Sequence, residues 1–344
     1  MRPEISKVIT ALRFPICILV VFIHSTMNVK FNDLTSINIR GGYYELIRDY
    51  ISTGLCLSAV PLFFFISGYL YFRGGNEFSV NQYITKTHSR IKSLLVPYLL
   101  WNTLFLVAFY VAENIFPSMT SGNHKTIAEY GLSDFLMAYW NAREGFPIDG
   151  PLWFVRNLMI LSILSPMFYW LLKNRILGLV IIIMALSFGP QDAYWLLGAY
   201  CALQEVDFVK WTKKLFYFAL PLWLILIMVC WGLESELALV VKRLYVLSGV
   251  CAITGMVGIF YRNKPLGINM SFLQTTSFFL FAFHQPILLL MCKLWCRYTP
   301  STDNFLIIGY FLMPVTIILI STMIFVLMKS FTPKILTVLN GGRI

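Results

Sequence analysis

Apolar runs close to the length that crosses a bilayer recur along the whole chain. About 20 such residues cover the roughly 30 Å of hydrocarbon as a helix. Segments near that length lie at 8–29, 52–72, 93–113, 150–172, 176–189, 191–204, 215–232, 240–260, 271–296 and 304–330. The chain is 58% hydrophobic and only 12% charged, against roughly 25% charged in a soluble domain. The expected fold is therefore all-α: a polytopic membrane helical bundle of about ten transmembrane helices, one integral membrane domain over 1–344. The pair 176–189 and 191–204 is the weakest, because each is short and the Gly189-Pro190 turn between them would suit one broken hairpin.

Ten spans put both termini on one side of the membrane. With the termini cytoplasmic, 17 Lys and Arg fall on that side and nine on the other, the direction that the positive-inside rule requires. Acidic residues go the other way, four inside and twelve outside. The net charge of +11 thus reflects membrane orientation. The basic residues are scattered over short loops, so no nucleic-acid partner is expected. All seven cysteines lie in apolar segments and read as buried residues outside any disulfide. Arg13 interrupts the first apolar run and no small-residue cleavage site follows, so this run reads as a span and not as a cleavable signal.

Two polar residues stand inside the first span, SKVITALRFPICILVVFIHSTMNV: Arg13 and His24. At about 100° per residue, eleven positions bring them within roughly 20° of one stripe, about 16 Å apart along the axis. Holding a charge at membrane depth costs roughly 2.5–3.5 kcal/mol on insertion scales, so such residues are functional candidates by default. The plainer reading is that Arg13 snorkels and His24 packs against another helix. Arg156 sits about two turns into the fourth span, at the estimated depth of His24, with Trp153 nearby and Asn157 next to it. Asn102 lies in the third span, and His284 and Gln285 in a late one, just before Pro286. Ser67-Gly68 in the second span offers a small surface for close approach by a helix or a ligand.

The loop after the second span gathers Arg73, Lys86, Arg90 and Lys92. Lys86 and Arg90 are four apart and share a face if this stretch is helical. With Arg13 at the same surface these cations suit a phosphate group, although positive-inside retention accounts for them as well. There is no Walker loop, no GxSxG, no HExxH and no Cys/His zinc spacing, which argues against ATP hydrolysis, serine-hydrolase chemistry and a metal site. No acidic residue lies deep in a confident span and no internal repeat is evident, which weakens a proton-coupled transporter.

The spacing of Arg13 and His24, VPLFFFISGYLYF in the second span and the basic loop running into RIKSLLVPYLLWN resemble the acyltransferase family 3 membrane enzymes. So do LWFVRNL in the fourth span and FLFAFHQPILLL near the end. The resemblance covers nearly the whole chain. It implies transfer of an acyl group, commonly acetyl from acetyl-CoA, to hydroxyls of surface polysaccharides or glycolipids in a bacterial inner membrane. It implies no permanently bound cofactor, with acyl-CoA as donor substrate. His24 matches the family's essential histidine and Arg13 its paired arginine. Arg73 and, less closely, Lys86 and Arg90 match its basic loop, where a lysine keeps charge but loses the bidentate fork of an arginine. Many relatives carry an added SGNH-type domain, which these 344 residues do not hold.

On this reading the donor phosphates meet Arg13, Arg73, Lys86 and Arg90. His24, with an ordinary pKa of about 6.5, removes a proton from the acceptor hydroxyl or is itself acylated. Arg156, Trp153, His284 and Asn102 are the candidates on the substrate side, and the outer segment 113–150, with Trp140, is the expected acceptor side. Two other classes stay open from the residues alone. One is an exporter of a polysaccharide or other envelope precursor without acyl-transfer chemistry. The other is a scaffold whose polar residues only join helices. Acceptor, acyl length and oligomeric state are not legible.

Overall fold

In hydrocarbon a backbone N–H or C=O has no water to bond, so a spanning segment closes its own hydrogen bonds as a helix. The computed structural model describes residues 3–27, 42–74, 78–115, 125–142, 144–231, 233, 235–262, 265 and 267–343, and among these it is helical with no strand. Residues 28–29 of the first expected span, and 116–124 and 143 of the outer segment, lie outside the described residues. The helices in chain order are α1 (Pro3–Ile23), α2 (Tyr43–Arg48), α3 (Ala59–Phe72), α4 (Val80–Arg90), α5 (Val96–Ile115), α6 (Leu132–Ala138), α7 (Trp153–Ile163) and α8 (Ser165–Lys173). They continue as α9 (Arg175–Phe188), α10 (Ala193–Leu203), α11 (Phe208–Trp231), α12 (Ser235–Phe260), α13 (Ile268–Tyr298), α14 (Asp303–Phe331) and α15 (Pro333–Leu339).

Among the described residues, seven stretches are long and apolar enough to cross a membrane, and an eighth, Gly150–Ile163 with Ser165–Lys173, is bent by 65°. The two weakest segments of the sequence reading fall on α9 and α10, of 14 and 11 residues. Both are shorter than the ~20 residues a straight crossing needs. The expected count of about ten is thus approximate: among the described residues there are seven candidate crossings, or eight with the bent pair, and two short apolar helices. Among the described residues all seven cysteines are free.

The chain packs as two compact units. One comprises Met1–Val20, Tyr50–Thr87 and Ile160–Ser277, the other Val21–Asp49, His88–Met159 and Phe278–Ile344. In the first unit α3 and α10 cross at glycines. A Cβ on Gly68 would lie 2.0 Å from the Trp195 carbonyl oxygen, and one on Gly198 would lie 1.9 Å from that of Phe65. The small surface expected at Ser67-Gly68 is therefore filled by a helix backbone. The bend after α7 has a proline cause. Pro166 has no N–H to give the carbonyl four residues earlier, and that carbonyl, on Ser162, instead accepts from the Tyr71 hydroxyl at 3.4 Å. The same hydroxyl lies 2.7 Å from Ser165 Oγ.

The second unit repeats the device twice. Pro314 inside α14 leaves the Tyr310 carbonyl unbonded within its helix, and Ser25 Oγ donates to it at 2.9 Å. Pro97 does the same to Ser93, whose carbonyl accepts from Arg343 Nη2 at 3.2 Å. Trp101 on α5 donates through Nε1 to the Leu339 carbonyl at 3.0 Å, fastening α15 to α5. The outer segment folds down on α5, where Ile127 and Ala138 join Leu106 in a small apolar cluster.

Gly198→Ala places a methyl group on a backbone carbonyl that has no room to move. We expect a loss of about 1–3 kcal/mol or more, seen as a lowered thermal midpoint of the detergent-solubilised protein. The same change at Gly267, which has open space around it, leaves the midpoint unchanged.

Candidate active site

The helix that carries Arg13 stops short of His24. α1 ends at Ile23, and His24 leaves it in a turn, its N–H donating to the Val21 carbonyl at 3.2 Å. This corrects the expectation that the helix runs on through His24. The residues after His24 are held one by one. Ser25 caps the carbonyl freed by Pro314, Met27 N–H donates to Tyr44 Oη at 2.8 Å, and Cys296 Sγ lies 3.1 Å from the Met27 carbonyl. Ser25 and Met27 are buried. The backbone ahead of and behind the imidazole is thereby fixed.

A second imidazole faces the first: the rings of His24 and His284 lie 5.3 Å apart at 47°. His284 is fully buried in α13. Its Nδ1 lies 2.8 Å from the Phe281 carbonyl and 3.1 Å from that of Leu280. Carbonyls only accept, so the ring proton sits on Nδ1 and Nε2 keeps a lone pair. That Nε2 is buried and has no hydrogen-bond partner among the described residues. Gln285 completes the group, with Nε2 3.3 Å from His24 Nδ1.

Asn102 belongs to the same unit but acts on backbone. Its Nδ2 donates to the Tyr98 carbonyl at 2.8 Å, and its Oδ1 accepts from the Asp149 N–H at 3.1 Å. Arg156 is engaged with the outer loop. It donates to the carbonyls of Trp140 and Gly145 and to Asn157 Oδ1, and its guanidinium stands 5.1 Å from the Trp140 ring centroid. Trp153 packs edge-on against Phe146 at 6.3 Å. Of the residues singled out on the substrate side, the structure thus sets His284 beside His24 and gives Asn102, Arg156 and Trp153 local bonds that shape the outer loop.

Sequence reasoning missed Asp149. It is fully buried, and neither carboxyl oxygen meets a donor among the described residues. Burial pushes this carboxyl well above its ordinary range. Only the tertiary enclosure signals this.

In the first unit, Arg13 and Arg73 are close enough to feel each other's charge. Arg73 is exposed at the end of α3. The stretch 80–90 is helical as expected, so Lys86 and Arg90 do share a face. Lys86, however, turns back on α3: its ammonium donates to the Tyr71 carbonyl at 2.6 Å and stands 5.1 Å from the Tyr71 ring centroid. A cation at the negative end of a helix is stabilised there, so this lysine caps α3.

An acyltransferase domain profile matches residues 7–328. The chain belongs to the acyltransferase 3 family. It is an enzyme of that class, as the motifs around Arg13, His24 and the basic loop predicted. It is also 25% identical over 369 residues to the succinoglycan biosynthesis protein ExoH of Rhizobium meliloti (strain 1021), an alignment that covers 100% of this chain and 94% of that one. No solved structure matches it.

The acid at Asp149 gives a pH signature. Its pKa is raised on folding, so its contribution to stability is full below the ordinary carboxylate value and is lost as pH rises through the raised one. The wild-type thermal midpoint is expected to fall as pH rises above the ordinary carboxylate range. Asp149→Asn, which keeps the shape without a titratable proton, flattens that decline.

Proposed function

We propose that this acyltransferase moves an acyl group, acetyl in the first instance, from cytoplasmic acyl-CoA to a hydroxyl of a cell-surface or lipid-linked carbohydrate, with His24 as general base. The observation that carries the reading is a pair of imidazoles 5.3 Å apart in a family of acyl-transferring membrane enzymes. The acceptor class is supported by the relative, whose name assigns it to succinoglycan biosynthesis. The membrane is a bacterial inner membrane with both termini cytoplasmic, in line with the excess of Lys and Arg in the loops on that side.

The chemistry follows from the groups present. The donor carries phosphates at one end and a thioester at the other. Arg13 and Arg73 offer paired cations for the phosphates. His24 takes the proton of the acceptor hydroxyl while that oxygen attacks the thioester carbonyl. The tetrahedral intermediate collapses, the C–S bond breaks, and the thiolate leaves as CoA by recovering the proton from His24. His284, with its proton fixed on Nδ1, presents a lone pair to a second donor such as a neighbouring hydroxyl of the acceptor. The exposed Trp140 ring on the outer segment, faced by Arg156, suits a sugar surface.

The test is acetyl-CoA consumption by the purified protein supplied with lipid-linked glycan extracted from the host envelope. His24→Ala is expected to lower kcat by about 100- to 10,000-fold, with acetyl-CoA still bound. Arg13→Ala is expected to raise KM for acetyl-CoA. Acid-labile label on wild type incubated with labelled acetyl-CoA would instead make His24 a covalent carrier. Folded wild type with no affinity for acetyl-CoA or longer acyl-CoAs would sink the donor assignment.

A further inference from the structure

His24 has a neutral partner. A histidine that takes a proton on one nitrogen needs the other held, and in many enzymes a carboxylate does this. Here the group beside Nδ1 is the side-chain amide of Gln285, at 3.3 Å. An amide carries a donor and an acceptor on one planar group. As oriented, its N–H points at a bare Nδ1, and the proton of neutral His24 sits on Nε2. Turned over, Oε1 accepts from Nδ1–H, and Nε2 is left bare to act as base. When Nε2 then takes the hydroxyl proton, both ring nitrogens carry hydrogens, and Oε1 faces the cation. The amide itself neither gains nor loses a proton.

The amide has a place to stand because residue 150 is a glycine. A Cβ on Gly150 would lie 2.3 Å from Gln285 Oε1 and 3.1 Å from its Cδ. The backbone at Gly150 is in turn fixed. Asn102 holds the N–H of the preceding Asp149, and the Asp149 carbonyl accepts from the Leu152 N–H at 3.0 Å. Gln285 is followed by Pro286 within α13. The amide is thus bounded by a glycine wall on one side and by an imidazole on the other.

We propose that Gln285 is the positioning residue for His24, setting which nitrogen carries the proton, and that Gly150 is the glycine that lets it reach. This rests on His24 as the base. Asn102 and Asp149 act one step further out, by holding the turn that carries Gly150.

The experiment measures kcat and KM for acetyl-CoA in detergent-purified protein supplied with the same envelope glycan. Gln285→Leu keeps the volume and removes both polar atoms. It is expected to lower kcat on the order of 10- to 100-fold, as loss of an orienting partner does elsewhere, with KM for acetyl-CoA and the thermal midpoint unchanged. Gln285→Glu, which keeps an acceptor for Nδ1–H, recovers part of that loss. Gly150→Ala lowers kcat in the wild-type background but costs nothing further beside Gln285→Ala, because the shortened side chain vacates the contested space. Wild-type kcat in Gln285→Leu overturns the proposal. Equal losses from Gly150→Ala in both backgrounds also overturn it, and this second comparison decides if Gln285→Leu does not fold. His24→Ala separates the two readings. If it retains kcat, the base assignment itself has failed. If it is inactive while Gln285→Leu is unimpaired, only the positioning role has failed.

Discussion

A carbonyl freed by proline inside hydrocarbon has to find a donor in the protein, at a cost of several kcal/mol if it does not. At three of the prolines that create that demand, a side chain from a distant segment meets it. Tyr71 bonds the Ser162 carbonyl beneath Pro166, Ser25 that of Tyr310 beneath Pro314, and Arg343 that of Ser93 beneath Pro97. The donors lie 91, 285 and 250 residues from their acceptors in sequence. Each bond therefore ties together segments far apart in sequence inside one unit. The bond from Ser25 has a further consequence, because the residue before it is His24.

The candidate site is assembled around that fixed point. His24 stands just past the end of α1, in a turn whose following residues are bonded to Tyr310, Tyr44 and Cys296. A histidine in a turn is free of the helical rotamer limits that the interior of α1 would impose. It is presented to His284 and Gln285 on α13. Those two neighbours have different resources. His284 spends Nδ1 on its own helix and keeps Nε2 for something else, whereas Gln285 can offer either a donor or an acceptor to His24.

Charge is handled differently in the two units. The first holds Arg13 and Arg73, close enough to feel each other's charge, and Lys86 bound to the end of α3. The second unit buries Asp149 without any donor among the described residues, and burial raises its pKa.

The sequence by itself determined the membrane class, the approximate number of helices and the family. All three follow from properties that add along the chain: hydropathy over about 20 residues, the bias of Lys and Arg between loops, and short motifs such as those around Arg13 and His24. It also made Ser67-Gly68 legible as a close-approach surface, since a missing Cβ is local information. The partners came only with tertiary structure. That Gly68 meets the Trp195 carbonyl, that His24 stands beside His284 and Gln285, and that Asp149 is sealed from water each depend on segments far apart in sequence. Helix ends were the other loss. Apolar periodicity continues past Ile23, and nothing in it reveals that the chain turns there to bond Tyr310, because the proline that makes that bond necessary lies nearly 300 residues downstream, at 314.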